Sequence, residues 1–371
     1  MQKIVGVLVG HLALCLSLYI HAQTPCNHAS IPLDVVPATY VCMHAVDPIV
    51  VDGQDKERTW QLVPVCAEFQ DIMGPTVEGP RFHTEVKMTW DEDHLYIYAF
   101  LEEPHVWGSL ENRDDIIWRD NDIEFFFDPD GDGQHYMEFE YNALGTLLDL
   151  YLAKPYREGG PMLIEWDAKG VEAEVVVYGS VNNGSDEDIG WCIEMAIPFG
   201  LLKTHKSQPN PGDGTWWRMN MSRVQWDTQW TAGGYVKQTN AEGQPLPEHN
   251  WVWSPQGIVN MHYPEQWGYM LFSKWSESPD DQQCELPMGW HEAKYAYALY
   301  YIQKIYFAEH GVWCADVKEL PQCGIPQSVL DGMRISVTAS HFDAWVPIGE
   351  GGDGWLIDTQ GRIIRKAAIN E

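Results

Sequence analysis

The sequence predicts a mostly β protein: an antiparallel β-sandwich of jelly-roll or immunoglobulin-like type, followed by a small α+β unit. Three observations carry that expectation. Short runs of alternating apolar and polar residues recur from about 49 to 275, with Gly, Asn, Asp and Pro between them. Helical periodicity is missing from that whole stretch and emerges only near Trp290. Short strands spaced by turn residues are the pattern of stacked antiparallel sheets. The chain has 371 residues, of which 45% are hydrophobic and 12% aromatic, enough for one large core and a smaller one.

Taken in order, residues 1–22 read as a signal peptide. Lys3 supplies a positive charge, Ile4 to Ile20 is apolar apart from His11, and Ala22 offers a small residue before cleavage at Gln23. That run is marginal as a membrane span, and no basic stop-transfer cluster follows it. The protein is therefore expected to be secreted, periplasmic or at the cell surface, without membrane insertion. Residues 23–275 are expected to form the sandwich. Within them His94–Leu101, Asp122–Asp128, Tyr136–Tyr141, Thr146–Leu152, Val171–Tyr178, Trp191–Ala196 and Trp216–Val224 read as strands. Residues 276–287 read as a linker, because Ser276–Cys284 is polar and interrupted by Pro279. Residues 288–371 read as the α+β unit. Its helix runs Trp290–His310 with Gly311 as a stop, and short strands follow at Arg334–Thr338, Ala344–Ile348 and Gly354–Asp358. The Tyr297, Tyr300 and Tyr301 stripe of that helix reads as core.

The formal charge of −31 argues against nucleic acid and anionic membrane as partners, since the net charge of the chain would repel their phosphates. It is compatible with neutral ligands and divalent cations. Eight cysteines, one of them (Cys15) in the leader, leave an odd number. In an oxidising compartment some should pair, with Cys314–Cys323 and Cys42–Cys66 as candidates.

Chemistry concentrates in Trp118–Gly133. In a strand, Ile123, Phe125 and Phe127 face one side, and Asp122, Glu124 and Phe126 the other. The next strand sets Met137, Phe139 and Tyr141 against Glu138, Glu140 and Asn142. If the two strands are neighbours, Glu124, Glu138 and Glu140 share one polar surface. Arg218, Asn220 and Ser222 fall on one face of a later strand, and a buried Arg218 would need one of those glutamates as partner. Arg218 then either touches a ligand or forms a structural pair beneath it. Asp128, Asp130 and Asp132 alternate before Gly133, so their carboxylates could converge on one hard cation such as structural calcium. Phe139 occupies the twelfth position, which excludes a full EF-hand and leaves a metal-free acidic turn as the alternative.

The motifs together resemble family 9 carbohydrate-binding modules. They are Val51-Asp52-Gly53 with Trp60, Trp90–Ile97, Trp118-x-x-Asn121-Asp122-Ile123-Glu124-x-Phe126-Phe127-Asp128, Trp253, and Pro264–Gly268. The resemblance spans roughly residues 49 to 273. It implies a β-sandwich, structural calcium, and sugar ends held in a slot between aromatic side chains. By position Trp118 matches one stacking tryptophan and Glu124 the carboxylate of that slot. The second stacking tryptophan falls near Met261, with His262 beside it, and the family's arginine falls near Glu138. Trp118 is either a sugar platform or a core residue.

The expected function is therefore a non-catalytic saccharide binder. Trp118 would stack on the sugar, and Glu124, Glu138, Glu140, Arg218, Asn220 and His262 would hydrogen-bond it. Its partner would be an oligo- or polysaccharide, and its setting a glycan-degrading system. Paired carboxylates also suit a glycoside hydrolase. Related sandwiches bind haem through Met and His, but adjacent Met261 and His262 could not ligate one iron from opposite faces. A protein-docking role is the remaining alternative.

Overall fold

The computed structural model describes residues 31–205, 208–274, 284–321, 324–349 and 352–367. The expected leader at 1–22 and positions 276–283 of the expected linker lie outside them. The strands up to residue 273 are β1 (Thr39–His44), β2 (Gln70–Asp71), β3 (Thr84–Trp90), β4 (His94–Glu102), β5 (Asp122–Asp128), β6 (Tyr136–Asn142), β7 (Leu147–Leu152), β8 (Met162–Leu163), β9 (Glu172–Tyr178), β10 (Gly190–Pro198), β11 (Trp216–Gln225), β12 (Thr228–Thr231), β13 (Gly234–Lys237), β14 (His249–Val252) and β15 (Gly268–Ser273). A short helix, α1 (Arg58–Leu62), precedes β2.

Thirteen of these strands form one sheet in the order β8-β7-β6-β5-β11-β15-β1-β3-β4-β10-β9, with β14 attached to β11 and β2 to β14. In a flat sheet β5 and β4 would stand about 24 Å apart, at about 4.8 Å per strand. Yet Phe125, Phe127 and Phe139 share one buried cluster with Leu95, Ile97, Ile193 and Met195. The sheet therefore curls over, and its two halves pack as the layers of a sandwich. Alternation sets which side chains meet: the odd residues of β5 enter the main core, and the even ones face away from it yet are also buried. Pairing is antiparallel except at β1, which runs parallel to both β15 and β3. Tyr40–Met43 are buried on both faces of β1, so no alternation marks it in the sequence.

The C-terminal elements are α2 (Trp290–His310), α3 (Gln327–Leu330), β16 (Arg334–Val337), β17 (Phe342–Ile348), β18 (Asp353–Asp358) and β19 (Ile363–Ala367). The four strands pair in sequence order as an antiparallel sheet. Gly311 ends α2 in the left-handed region, at φ 72°, and its N–H donates to the Phe307 carbonyl at 2.8 Å. Tyr297, Tyr300 and Tyr301 are buried in a second core with Phe342, Val346 and Ile357. The aromatic stripe is thus core. That core also takes in Tyr263 of the sandwich. Among the described residues, no helix is long and apolar enough to cross a membrane.

Cys42, Cys66, Cys192, Cys284 and Cys314 are free thiols. The expected Cys42–Cys66 bridge is not formed. Cys42 lies on β1, and the Cys66 N–H is bonded to the Val86 carbonyl of β3 at 2.8 Å. Burial pushes the Cys66 thiol up to about 12. Cys323 lies outside the described residues, and the proposed pair with Cys314 lies there with it.

Candidate functional site

β5 and β6 are neighbours, with Glu124 opposite Glu140 and Phe126 opposite Glu138. Asp122, Glu124, Glu138 and Glu140 therefore share the face turned away from the main core. All four are buried. The 3-10 turn Ile117–Arg119 covers them in part, and the Trp118 N–H donates to Glu140 Oε2 at 3.1 Å.

This is an unusual patch of charge. Among the described residues no lysine or arginine forms an ion pair with any of the four. Burial first, and then repulsion from neighbouring carboxylates, pushes Asp122, Glu124 and Glu138 well above the usual carboxylate range. Burial raises Glu140 to about 7, against the lowering effect of its bonds to Glu138 and the Trp118 backbone. Asp122 Oδ1 accepts from the Val224 N–H at 3.3 Å. Asp122 Oδ2 and Glu138 Oε2 have no hydrogen-bond partner among the described residues. At neutral pH such a cluster retains protons, so it can both donate to and accept from a hydroxyl.

Above the patch opens a cleft of about 380 Å³, lined by Trp118, Tyr156, Glu124, Glu138, Glu140 and His262. Trp118 is 39% exposed, which places it at the mouth and not in the core. Its indole stacks on Trp226 at 6.4 Å and 20°, and Trp226 Nε1 donates to the Trp118 carbonyl at 2.9 Å. One tryptophan thus fixes the other. His262 Nδ1 lies 3.1 Å from the Tyr136 hydroxyl, and its Nε2 lies 3.9 Å from Glu138 Oε2. Burial pushes the imidazole down to about 3, so it is neutral. The Met261 sulfur accepts from Gln256 Nε2 at 3.1 Å.

Tyr156 was not anticipated. It is 45% exposed and lies edge-on to His262, with ring centroids 4.3 Å apart. The available signal was an aromatic in a loop bounded by Pro155 and Gly159-Gly160. The next residue, Arg157, holds this loop to the C-terminal elements. It pairs with buried Glu265 at 3.0 Å and lies over the rings of Tyr263, Tyr300 and Tyr301.

Arg218 and Asn220 need correction. Both lie on the expected face of β11, but neither lines the cleft. Ser222, not Arg218, stands opposite Glu124. Four residues of strand carry Arg218 about 13 Å further along. There it faces Asp128, donates to the Pro264 carbonyl at 2.6 Å and to the Tyr269 hydroxyl, and packs on the Tyr269 ring. Asn220 exchanges two hydrogen bonds with the Ser254 backbone, each 3.0 Å.

Two acidic clusters have the oxygen donors a hard cation takes. Asp128, Asp130 and Asp132 place carboxylate oxygens within 4.8 Å of one another. Asp132 is already bonded to Arg362 at 2.7 Å, and both Asp128 oxygens accept backbone N–H groups from Gly131 and Gly133. Asp122, Glu124 and Glu140 converge equally closely and have no such cation. Alternation placed these carboxylates on one face, but only the pairing of β5 with β6 shows that three of them converge closely enough for a cation.

The sequence matches the family model described as carbohydrate family 9 binding domain-like over residues 51–244, more than half of the chain. No curated protein matches it. Several solved structures are similar, among them these three. One is a Bacteroides uniformis ATCC 8492 protein proposed to bind carbohydrate: 18% identity, TM-score 0.45, covering 64% of this chain and 100% of the other. The second is a family 9 carbohydrate-binding module from Caldicellulosiruptor kristjanssonii in complex with cellotriose: 12% identity, TM-score 0.41, covering 67% and 100%. The third is a family 9 module from the same organism in complex with glucose: 13% identity, TM-score 0.40, covering 64% and 98%.

Proposed function

The chain belongs to the carbohydrate family 9 binding domain-like family, and from that premise we propose that it is a secreted, non-catalytic protein that binds an oligo- or polysaccharide in the Trp118 cleft. One observation carries the reading: a half-exposed indole stands over a floor of buried carboxyl groups that lack enough partners of their own. An indole face packs well against the axial C–H bonds of a pyranose, and burial of such a contact is worth about 1–3 kcal/mol. Sugar hydroxyls need paired donors and acceptors. Glu124, Glu138 and Glu140 supply them from buried positions on the cleft floor. Tyr156 gives the cleft a second aromatic wall, in the region where the sequence offered Met261 and His262.

The same geometry favours holding over cutting. A glycosidase sets two carboxyl groups on either side of the scissile bond. Here Asp122, Glu124, Glu138 and Glu140 all lie on one face of β5 and β6, so they form a single floor and do not flank a bond from two sides. Calcium would be structural, held by Asp128, Asp130 and Asp132 at the β5–β6 turn, where it would fix the end of the strands that carry the floor. A glycan array probed with the mature protein, with and without chelator, tests the proposal. Saturable binding to a neutral glycan without sugar release is expected, with chelation lowering stability more than affinity. Release of sugar that Glu124→Gln or Glu138→Gln abolishes would replace binding by hydrolysis.

A further inference from the structure

A second cleft adjoins the Trp118–Trp226 stack through Arg119 and Lys237, which line it and lie over those two rings. It is built by the hairpin of β12 and β13, which among the described residues pair with each other and with no other strand. An isolated two-stranded hairpin is marginal alone, so its side chains must hold it. Trp230 stands directly opposite Tyr235, with ring centroids 5.0 Å apart. The Tyr235 hydroxyl reaches the Asn183 carbonyl at 3.4 Å and His105 Nδ1 at 3.2 Å. The Trp230 indole lies against Gly184, where a Cβ would collide with the ring. Trp230 is nevertheless 48% exposed. It is an aromatic plate backed by glycine and open to solvent.

The cleft, of about 600 Å³, is lined by Trp107, Trp230, Tyr235, Asn182, Arg119 and Lys237. In a chain with 54 acidic and 23 basic residues, most cations should face carboxylates. Among the described residues neither Arg119 nor Lys237 forms an ion pair. Arg119 lies over Trp118, 5.9 Å from its ring centroid, and Lys237 Nζ lies 3.1 Å from that of Trp226. Burial brings the Lys237 ammonium down to about 8, with Arg119 repelling it and Asp120, Glu248 and Asp122 opposing the shift. A further group waits for a partner: Trp107 is 6% exposed, and its Nε1 has no hydrogen-bond acceptor among the described residues.

We propose that this cleft binds an acidic sugar, with Arg119 and Lys237 on the carboxylate of a uronic acid, Trp230 on the pyranose face and Trp107 Nε1 on a hydroxyl. A guanidinium matches a carboxylate through its fork of donors, and a nearby ammonium adds a point charge. The proposal rests on the chain being a saccharide binder, but not on the Trp118 cleft.

Calorimetric titration of the full chain with a galacturonate trimer, and with the same trimer reduced to alcohols, tests it. The charged trimer should bind at least about tenfold more tightly, the scale of a charge-assisted hydrogen bond. Arg119→Gln and Lys237→Gln should each remove most of that preference, while Lys169→Gln, at an exposed cation that does not line the cleft, leaves it. Unchanged melting temperatures would show that these variants fold. Equal affinity for the two trimers, full retention in the double variant, or displacement by inorganic sulfate as effective as by the trimer would overturn the assignment. Loss of neutral-glycan binding with the charge preference intact would instead remove the Trp118 cleft and leave this one.

Discussion

Burying carboxyl groups side by side costs free energy unless they share protons or meet a cation. Glu140 illustrates the sign of the resulting pH dependence. Its folded value, about 7, lies above its ordinary 4.5. A raised carboxyl contributes stability that is complete below the ordinary range and is lost as pH rises through the folded value. In chelator, the melting temperature should therefore fall between about pH 4.5 and 7, and Glu140→Gln should flatten that fall. An identical slope in the variant would show that the cluster does not titrate this way. At this scale the sequence was informative about residues in strands. Alternation alone put Glu124, Glu138 and Glu140 on one face. It could not say how far along that face Arg218 lies, because a strand's register is set by its partner. Tyr156 escaped because a loop carries no period.

Among the elements, α2 was legible to the residue, since a 21-residue period ended by a left-handed glycine has few alternative readings. What α2 does was not legible. Tyr300 donates to Glu158, Tyr301 donates to Glu265, and Lys304 Nζ lies 2.9 Å from Glu158. Through Arg157 these contacts hold the loop that presents Tyr156, and Arg157 Nη1 donates to the His262 carbonyl at 3.5 Å. Arg157 is thus a positioning residue that touches no ligand. Arg157→Met leaves Glu265 buried with the Tyr301 hydroxyl but without its cation, at a cost of about 3–5 kcal/mol. The melting temperature should fall, and glycan affinity measured well below it should fall too, with Arg157→Lys recovering part of both. Unaltered affinity in the folded variant would reduce Arg157 to a packing role.

At the scale of the molecule, composition and strand spacing were enough for a two-layer β architecture, because few folds bury so many short alternating strands. Strand order was not accessible. β1 pairs with β15 across more than two hundred residues, and nothing local in Thr39–His44 names that partner. The docking of the C-terminal unit was equally hidden. Beside the Arg157, Glu158 and Glu265 contacts, it uses Asp132, whose carbonyl accepts from the Ile363 N–H at 3.0 Å and whose carboxylate holds Arg362. The family model covers residues 51–244, so the C-terminal unit stands outside the matched region and supports the cleft from its flank. The central claim is that a saccharide sits on Trp118 in that supported cleft. Calorimetric titration of the intact chain and of its Trp118→Ala variant, with the glycan the array selects, tests it most directly. Affinity should fall by about 10- to 100-fold, with the melting temperature nearly unchanged. Undiminished affinity, or affinity lost only in step with stability, would contradict it.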